Sequence, residues 1–205
     1  MTTSEPFAGT TEVRAQHRFD ETALRHWFAA RVDPGANARF RISQFKGGQS
    51  NPTFLLETPN RRYVLRRKPP GVLLPSAHAV DREYPVKRAL ADTEVPVPRV
   101  HALCEDPSVI GTAFYVMDHV DGRILWDPKL PDLAPAERAA ICDEMNRVQA
   151  ALHEVDVAAA GLADYGRPGN YIARQVARWS KQYRASETER IDAMEALIEW
   201  LPGNL

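Results

Sequence analysis

The stretch that most constrains the fold is residues 45–56, with the sequence FKGGQSNPTFLL. Two apolar runs flank the glycine pair Gly47 and Gly48 and three polar residues, a pattern that predicts a β-hairpin with a glycine-rich tip. Glycine lets the backbone approach a ligand closely, and free N–H groups in such a tip can face phosphate oxygens. The next predicted strand, residues 63–67 (YVLRR), carries Arg66. A flexible lid followed by a cation on the next strand suits a nucleoside triphosphate.

The glycine pair does not decide the function alone, because it matches neither the G-x-G-x-x-G nor the G-x-x-x-x-G-K-[ST] pattern. A surface hairpin with a glycine turn is the more frequent explanation of such a pair. The basic run of residues 61–68 is likewise typical of a solvated strand edge, which we expect for Arg61, Arg62, Arg67 and Lys68. Alternation along the strand puts Arg66 on the face of Val64 and opposite to Leu65 and Arg67.

Composition narrows the class of protein. The 205 residues are 44% apolar and 26% charged, as in an ordinary globular protein. The net charge of −1 argues against nucleic-acid and membrane-surface partners. RNA binding by the basic run of residues 61–68 is disfavoured, because the protein as a whole has no positive electrostatic field. No run approaches the ~20 apolar residues of a membrane span. Two cysteines form no disulfide framework and favour a reduced, cytoplasmic setting.

The order of predicted elements indicates two lobes. Residues 1–18 are expected to be a loose tail, and Asp20 to cap a helix over residues 19–32. A strand-rich lobe over residues 19–117 has strands at 40–45, 53–56, 61–68, 100–104 and 112–117, and a helix at 76–90 that contains Pro85. Residues 118–122 form a hinge, and residues 123–205 are helical, with helices at 135–155, 170–183 and 187–201. We expect the ligand cleft at the junction.

These motifs carry a family resemblance. A glycine hairpin (GGQSN), a cation on the next strand (VLR), an acid on the following helix (DREY) and an apolar strand entering a hinge (FYVMDHVDG) occur in this order. The chain resembles the aminoglycoside phosphotransferase and choline kinase family. More narrowly, it is similar to the phosphotransferase domain associated with acyl-CoA dehydrogenases. The resemblance covers residue 39 to the chain end and implies an α+β, protein-kinase-like fold: an antiparallel-sheet N-lobe and the start of a helical C-lobe.

The resemblance also implies roles for single residues. The tip residues would cover the phosphates of ATP: Gly47, Gly48, Gln49, Ser50 and Asn51. Arg66 would bind the α- and β-phosphates where most kinases have lysine, which is a departure because a guanidinium is bulkier and flat. Glu83 would pair with Arg66; without the resemblance it would be taken for a solvated helix carboxylate. Asp118 and Val120 would meet the adenine edge through their backbone.

The family's catalytic segment is missing from the sequence. The family uses a His-Gly-Asp-x-x-x-x-Asn loop and a later aspartate that holds magnesium, yet none of the six histidines precedes Gly-Asp. Asp164-Tyr165-Gly166 resembles a metal-binding Asp-Phe-Gly only superficially and is expected to be a turn between helices. We therefore assign no catalytic and no metal-binding residue, and expect Mg²⁺ only in a full-length parent. The chain is expected to be truncated before the catalytic loop.

Two functional classes stay open. The first is the front portion of an ATP-dependent kinase that phosphorylates a hydroxyl group of a small molecule. The association with an acyl-CoA dehydrogenase suggests a hydroxyacyl compound as substrate and the dehydrogenase as partner. The second is a non-catalytic nucleotide- or partner-binding module with a kinase-like fold. A His-Gly-Asp sequence in a reading frame that continues past Leu205 would favour the first class.

Overall fold

A computed structural model describes residues 9–47, 50–71, 78–125, 127–166 and 169–204. These divide into two compact units, residues 1–156 and 157–205, which are described separately. The first contains a six-stranded sheet whose neighbouring strands are all antiparallel, in the order β1-β2-β3-β4-β6-β5. Its strands are β1 (Thr10–Thr11), β2 (Arg41–Phe45), β3 (Thr53–Glu57), β4 (Arg62–Arg67), β5 (Val100–Cys104) and β6 (Phe114–Asp118).

The described residues form six α-helices. They are α1 (Glu21–Arg31), α2 (Val80–Ala89), α3 (Pro107–Ile110) and α4 (Pro135–His153) in the first unit, and α5 (Tyr171–Ser186) and α6 (Asp192–Trp200) in the second. Helix α2 continues through Pro85 instead of ending there. No helix among the described residues is both long and apolar enough to cross a bilayer.

Helix α1 begins where the sequence predicts. One carboxylate oxygen of Asp20 accepts hydrogen bonds from the backbone N–H groups of Thr22 and Ala23, each at 2.9 Å. These bonds satisfy two of the N–H groups that a helix start leaves unpaired. Leu24 and Phe28 lie one helical turn apart and are completely buried against the sheet. The ring of Phe28 contacts those of Phe40 and Tyr63, each with centroids 5.1 Å apart.

The core lies between α1 and one face of the sheet. Strand alternation places on this face the buried side chains Phe54, Leu56, Tyr63, Leu65, Phe114 and Val116. The opposite face carries α2, which contacts β5 and β6. Arg66 and Val64 belong to this second face, as the alternation predicts. The sheet thus separates a packed core from the predicted site.

Two expectations about the first unit need correction. Residues 10–11 form β1 and pair with β2, and the Arg14 N–H donates to the side chain of Gln44 at 3.1 Å, so this part of the expected loose tail belongs to the sheet. Strand β4 is no solvated edge, because β3 and β6 flank it. Arg67 shares the face of Tyr63 and Leu65 and is therefore buried, with its guanidinium 5.3 Å from the centroid of the Phe19 ring.

Candidate functional site

The predicted ion pair between Arg66 and Glu83 is present. Arg66 projects from β4 and donates through Nε to Glu83 Oε2 at 2.6 Å and through Nη2 to Oε1 at 3.0 Å. Glu83 comes from the first half of α2. Both side chains are about 30% exposed, at 30% and 29%, so the pair is partly shielded from water without being sealed off. One edge of the guanidinium is engaged by the carboxylate.

Electrostatics keep this pair ionised. Burial by itself would raise the pKa of the Glu83 carboxyl, but hydrogen bonds from Arg66 and Tyr115 outweigh it and hold the pKa below its ordinary value. The hydrogen bond to Glu83 raises the pKa of Arg66, against the effect of burial. The site therefore holds a fixed cation at neutral pH.

The glycine-rich tip is described only in part. Gly48 and Gln49 lie outside the described residues. Ser50 is exposed, whereas Asn51 is buried and its side-chain oxygen lies 2.5 Å from Nδ1 of His78, just before α2. Two residues beyond Asn51, Thr53 is the direct cross-strand partner of Arg66. The second strand of the hairpin therefore starts beside Arg66.

The hinge leaves the sheet close to the same hairpin. Asp118 is the last residue of β6, and its carboxylate oxygen Oδ1 lies 2.7 Å from Nε2 of His101. The ring of His119 stacks on Phe45, the last residue of β2, with centroids 6.3 Å apart and an interplanar angle of 8°. Val120 is 68% exposed, and its backbone N–H donates to no residue in the described ranges. The predicted hinge thus has an exposed residue two positions after the end of β6.

Strand register arranges this face of the sheet in rows. Thr53, Arg66 and Tyr115 lie side by side on β3, β4 and β6. The next row on the same face is apolar and consists of Leu55, Val64 and Met117. Asp118 pairs with Tyr63, three residues from Arg66 along β4, which is about 10 Å of extended strand. An apolar row therefore lies between the Arg66 cation and the predicted hinge.

Sequence reasoning missed several of these residues. Tyr115 donates to Glu83 Oε2 at 2.9 Å, and Lys87 donates to Tyr115 Oη at 3.1 Å. The four-residue spacing of Glu83 and Lys87 on one helix face was available as a signal. Tyr115 and Met117 could not be found that way, because their place depends on the pairing of β4 with a strand about 50 residues later.

The next feature is the placement of possible metal ligands among the described residues. Within the described part of the chain, no three His, Cys, Asp or Glu side chains come together in a way that could hold a metal ion. Asp164-Tyr165-Gly166 lies in a turn ahead of α5, as predicted. Nothing in the geometry above depends on a metal.

Comparisons with known proteins show the family of the chain. The model of the "Phosphotransferase enzyme family" matches residues 41–205. The chain is 52% identical over 206 residues to "Probable acyl-CoA dehydrogenase IBR3" of Arabidopsis thaliana, covering 95% of the chain and 25% of that protein. It is 46% identical over 197 residues to "Acyl-CoA dehydrogenase family member 11" of Homo sapiens, covering 95% of the chain and 25% of that protein. The chain thus spans about a quarter of the length of these relatives.

A solved structure shows the fold. The crystal structure of a protein named "putative aminoglycoside phosphotransferase" from Ralstonia eutropha superimposes with a TM-score of 0.76 at 55% identity, covering 92% of this chain and 54% of that one. The predicted α+β, protein-kinase-like fold is therefore confirmed. The predicted resemblance to a phosphotransferase domain associated with acyl-CoA dehydrogenases is confirmed as well.

Proposed function

Since the chain belongs to the phosphotransferase enzyme family, we propose that it is the nucleotide-binding portion of an ATP-dependent kinase that phosphorylates a hydroxyl group of a small molecule. The observation that carries the proposal is the two-point contact of Arg66 with Glu83. A cation held by a helix carboxylate next to a glycine hairpin is the arrangement that kinases use to bind phosphates.

The donors of Arg66 support phosphate binding. A guanidinium has five N–H donors, and the two spent on Glu83 leave three. All three are on Nη1 and Nη2, where they can meet two phosphate oxygens at once. Gly47 and the exposed Ser50 would approach the phosphates from the hairpin. A lysine at this position would carry its three N–H donors on a single nitrogen atom and would have to share them between Glu83 and the phosphates.

The apolar row would receive the base. Leu55, Val64 and Met117 offer a row of apolar side chains, and the predicted hinge offers the backbone N–H of Val120 and the carbonyl of Asp118. Buried apolar contact with a few convergent polar groups is typical of small-molecule sites. Bound ATP would supply the γ-phosphoryl group, which passes to the hydroxyl oxygen as ADP leaves and a base takes the hydroxyl proton.

We propose that this chain on its own binds nucleotide without transferring phosphate, because its sequence has no His-Gly-Asp and its described residues form no magnesium site. The same observation favours the second candidate, a non-catalytic nucleotide-binding module. In the first class, a longer protein would complete the reaction, and the names of the relatives suggest a hydroxyacyl substrate and a dehydrogenase partner. Steady ATP-dependent phosphorylation of any hydroxyl compound by the purified chain would contradict the proposal of inactivity.

Titration calorimetry with ADP and ATP, with and without Mg²⁺, tests nucleotide binding. Without magnesium ligands the β- and γ-phosphate charge is incompletely neutralised, so we expect weak binding, ADP comparable to ATP, and little dependence on Mg²⁺. Arg66→Ala should weaken ADP binding by about 1–3 kcal/mol through lost charge-assisted hydrogen bonds, and Arg66→Lys by less. Arg61→Ala, which removes an exposed cation next to the same strand, is the control. A folded chain that binds neither nucleotide would refute the proposal.

A further inference from the structure

Tyr115 donates to the same carboxylate oxygen of Glu83 as the Nε of Arg66 does. The Tyr115 ring is completely buried on β6, where the residue is the direct cross-strand partner of Arg66. Glu83 Oε2 accepts from both Arg66 Nε at 2.6 Å and Tyr115 Oη at 2.9 Å, while Oε1 accepts from Arg66 Nη2. A buried ring cannot swing, so the carboxylate is anchored to the sheet by a rigid group as well as by a flexible one.

Lys87 fixes the direction of these bonds. It follows Glu83 by one helical turn and donates from Nζ to Tyr115 Oη at 3.1 Å, with Nζ 5.5 Å from the centroid of the same ring. An ammonium has no acceptor, so the tyrosine oxygen must accept from Lys87. The single hydroxyl proton of Tyr115 is then committed to Glu83. The hydrogen bonds run one way, from Lys87 through Tyr115 to Glu83.

The cluster also carries surplus positive charge. Arg66 and Lys87 are two cations that share one carboxylate, and both are half-buried. Burial lowers the pKa of Lys87, while the charge of Glu83 acts in the opposite direction. The cost of half-burying an ammonium is poorly compensated by a hydrogen bond to a neutral phenol. If Lys87 served only packing, an apolar residue would therefore be more favourable at this position.

We propose that Tyr115 and Lys87 are positioning residues of the nucleotide site, which orient Glu83 so that the three free N–H donors of Arg66 face the phosphates. This inference rests on the proposed nucleotide binding. Both residues act through Glu83 and touch no phosphate. Loss of either should leave the base contacts intact and weaken only the phosphate contacts.

The test compares ligands with and without phosphates. Tyr115→Phe removes one oxygen and keeps the ring, and Lys87→Met removes the ammonium and keeps the length of the side chain. Titration calorimetry should show each variant binding ADP about three- to tenfold more weakly, with adenosine binding unchanged. Arg88→Met, which removes the neighbouring exposed cation of α2, is the matched control and should bind both ligands like wild type.

Double variants separate positioning from direct contact. In an Arg66→Ala background, Tyr115→Phe should weaken ADP binding no further, because the group that it orients is gone. Lys87→Met should likewise weaken ADP binding no further in a Tyr115→Phe background. A further loss of ADP affinity would mean that Lys87 contacts phosphate itself, and would overturn its assignment as a positioning residue. Equal weakening of adenosine and ADP would show a purely structural role and also overturn it. Wild-type protein that binds neither ligand would instead refute the proposed function, on which the inference depends.

Discussion

At the scale of single residues, Glu83 is where burial and hydrogen bonding oppose each other most directly. Its carboxylate is withdrawn from water, which favours the protonated form, yet three donated hydrogen bonds favour the ionised form. Asp33 is a second such carboxylate: the hydroxyls of Thr58 and Tyr63, the Asn60 amide and the Gly35 N–H all donate to it. Burial alone would raise the pKa of Asp33, but these hydrogen bonds together outweigh burial and hold the pKa below its ordinary value. The first carboxylate serves the site and the second fixes the turn after α1.

We predict that the free energy of unfolding of the Glu83→Gln variant will fall less than that of wild type as the pH is lowered. The folded pKa of Glu83 lies below its ordinary value of 4.5, so its contribution is complete above that pH and is lost as the pH falls through the folded pKa. The glutamine variant should be less stable than wild type at pH 7, and the difference should shrink between about pH 5 and pH 3. Urea unfolding across this range measures it. A difference that stays constant with pH would contradict the shift, and Glu105→Gln, at an exposed carboxylate, is the control.

At the scale of elements, the parts that the sequence predicts are those set by local chemistry. The Asp20 cap, the pairing of the two strands that flank the glycine pair and the strand alternation around Arg66 depend on residues a few positions apart, and each is found as expected. The interior place of β4 was not predicted, because its neighbour β6 lies about 50 residues later. The Arg66–Glu83 pair came from the family resemblance, since spacing alone cannot bring a strand cation to a helix 17 residues on.

Leu24 and Phe28 are the fully buried side chains through which helix α1 packs on the sheet. We predict that Phe28→Ala will destabilise the first unit by about 3–5 kcal/mol, because it removes a fully buried ring in contact with Phe40 and Tyr63 and leaves a cavity. His26→Ala, at an exposed position of the same helix, should change stability by less than about 0.5 kcal/mol. Urea unfolding followed by circular dichroism gives both values. Similar losses from the two substitutions would mean that α1 is not held through this face.

At the scale of the whole molecule, stability is unevenly distributed between the two units. The first contains the buried core, whereas no described residue of the second is buried. In the second unit, α5 and α6 are joined by the Arg184–Glu195 ion pair at 2.6 Å and flank a cavity of about 540 Å³, lined mainly by apolar side chains. Trp179 and Ile172 on α5 are more than half exposed, at 56% and 57%. Arg184 is half exposed, so its ion pair with Glu195 is open to solvent on one side and adds little stability.

Hydrogen exchange followed by mass spectrometry should therefore distinguish the two units by the rates at which their amides exchange. Amides of β3, β4 and β6 should exchange slowest, because they open only when the core unfolds, and those of α5 and α6 should exchange much faster through local opening. ADP should slow exchange in β4 and α2, where the proposed site lies, and leave α5 and α6 unchanged, since a ligand protects the states that contain its site. Protection of α5 and α6 equal to that of β4 without nucleotide would contradict this division. Protection that rose with protein concentration would show that self-association covers their apolar face.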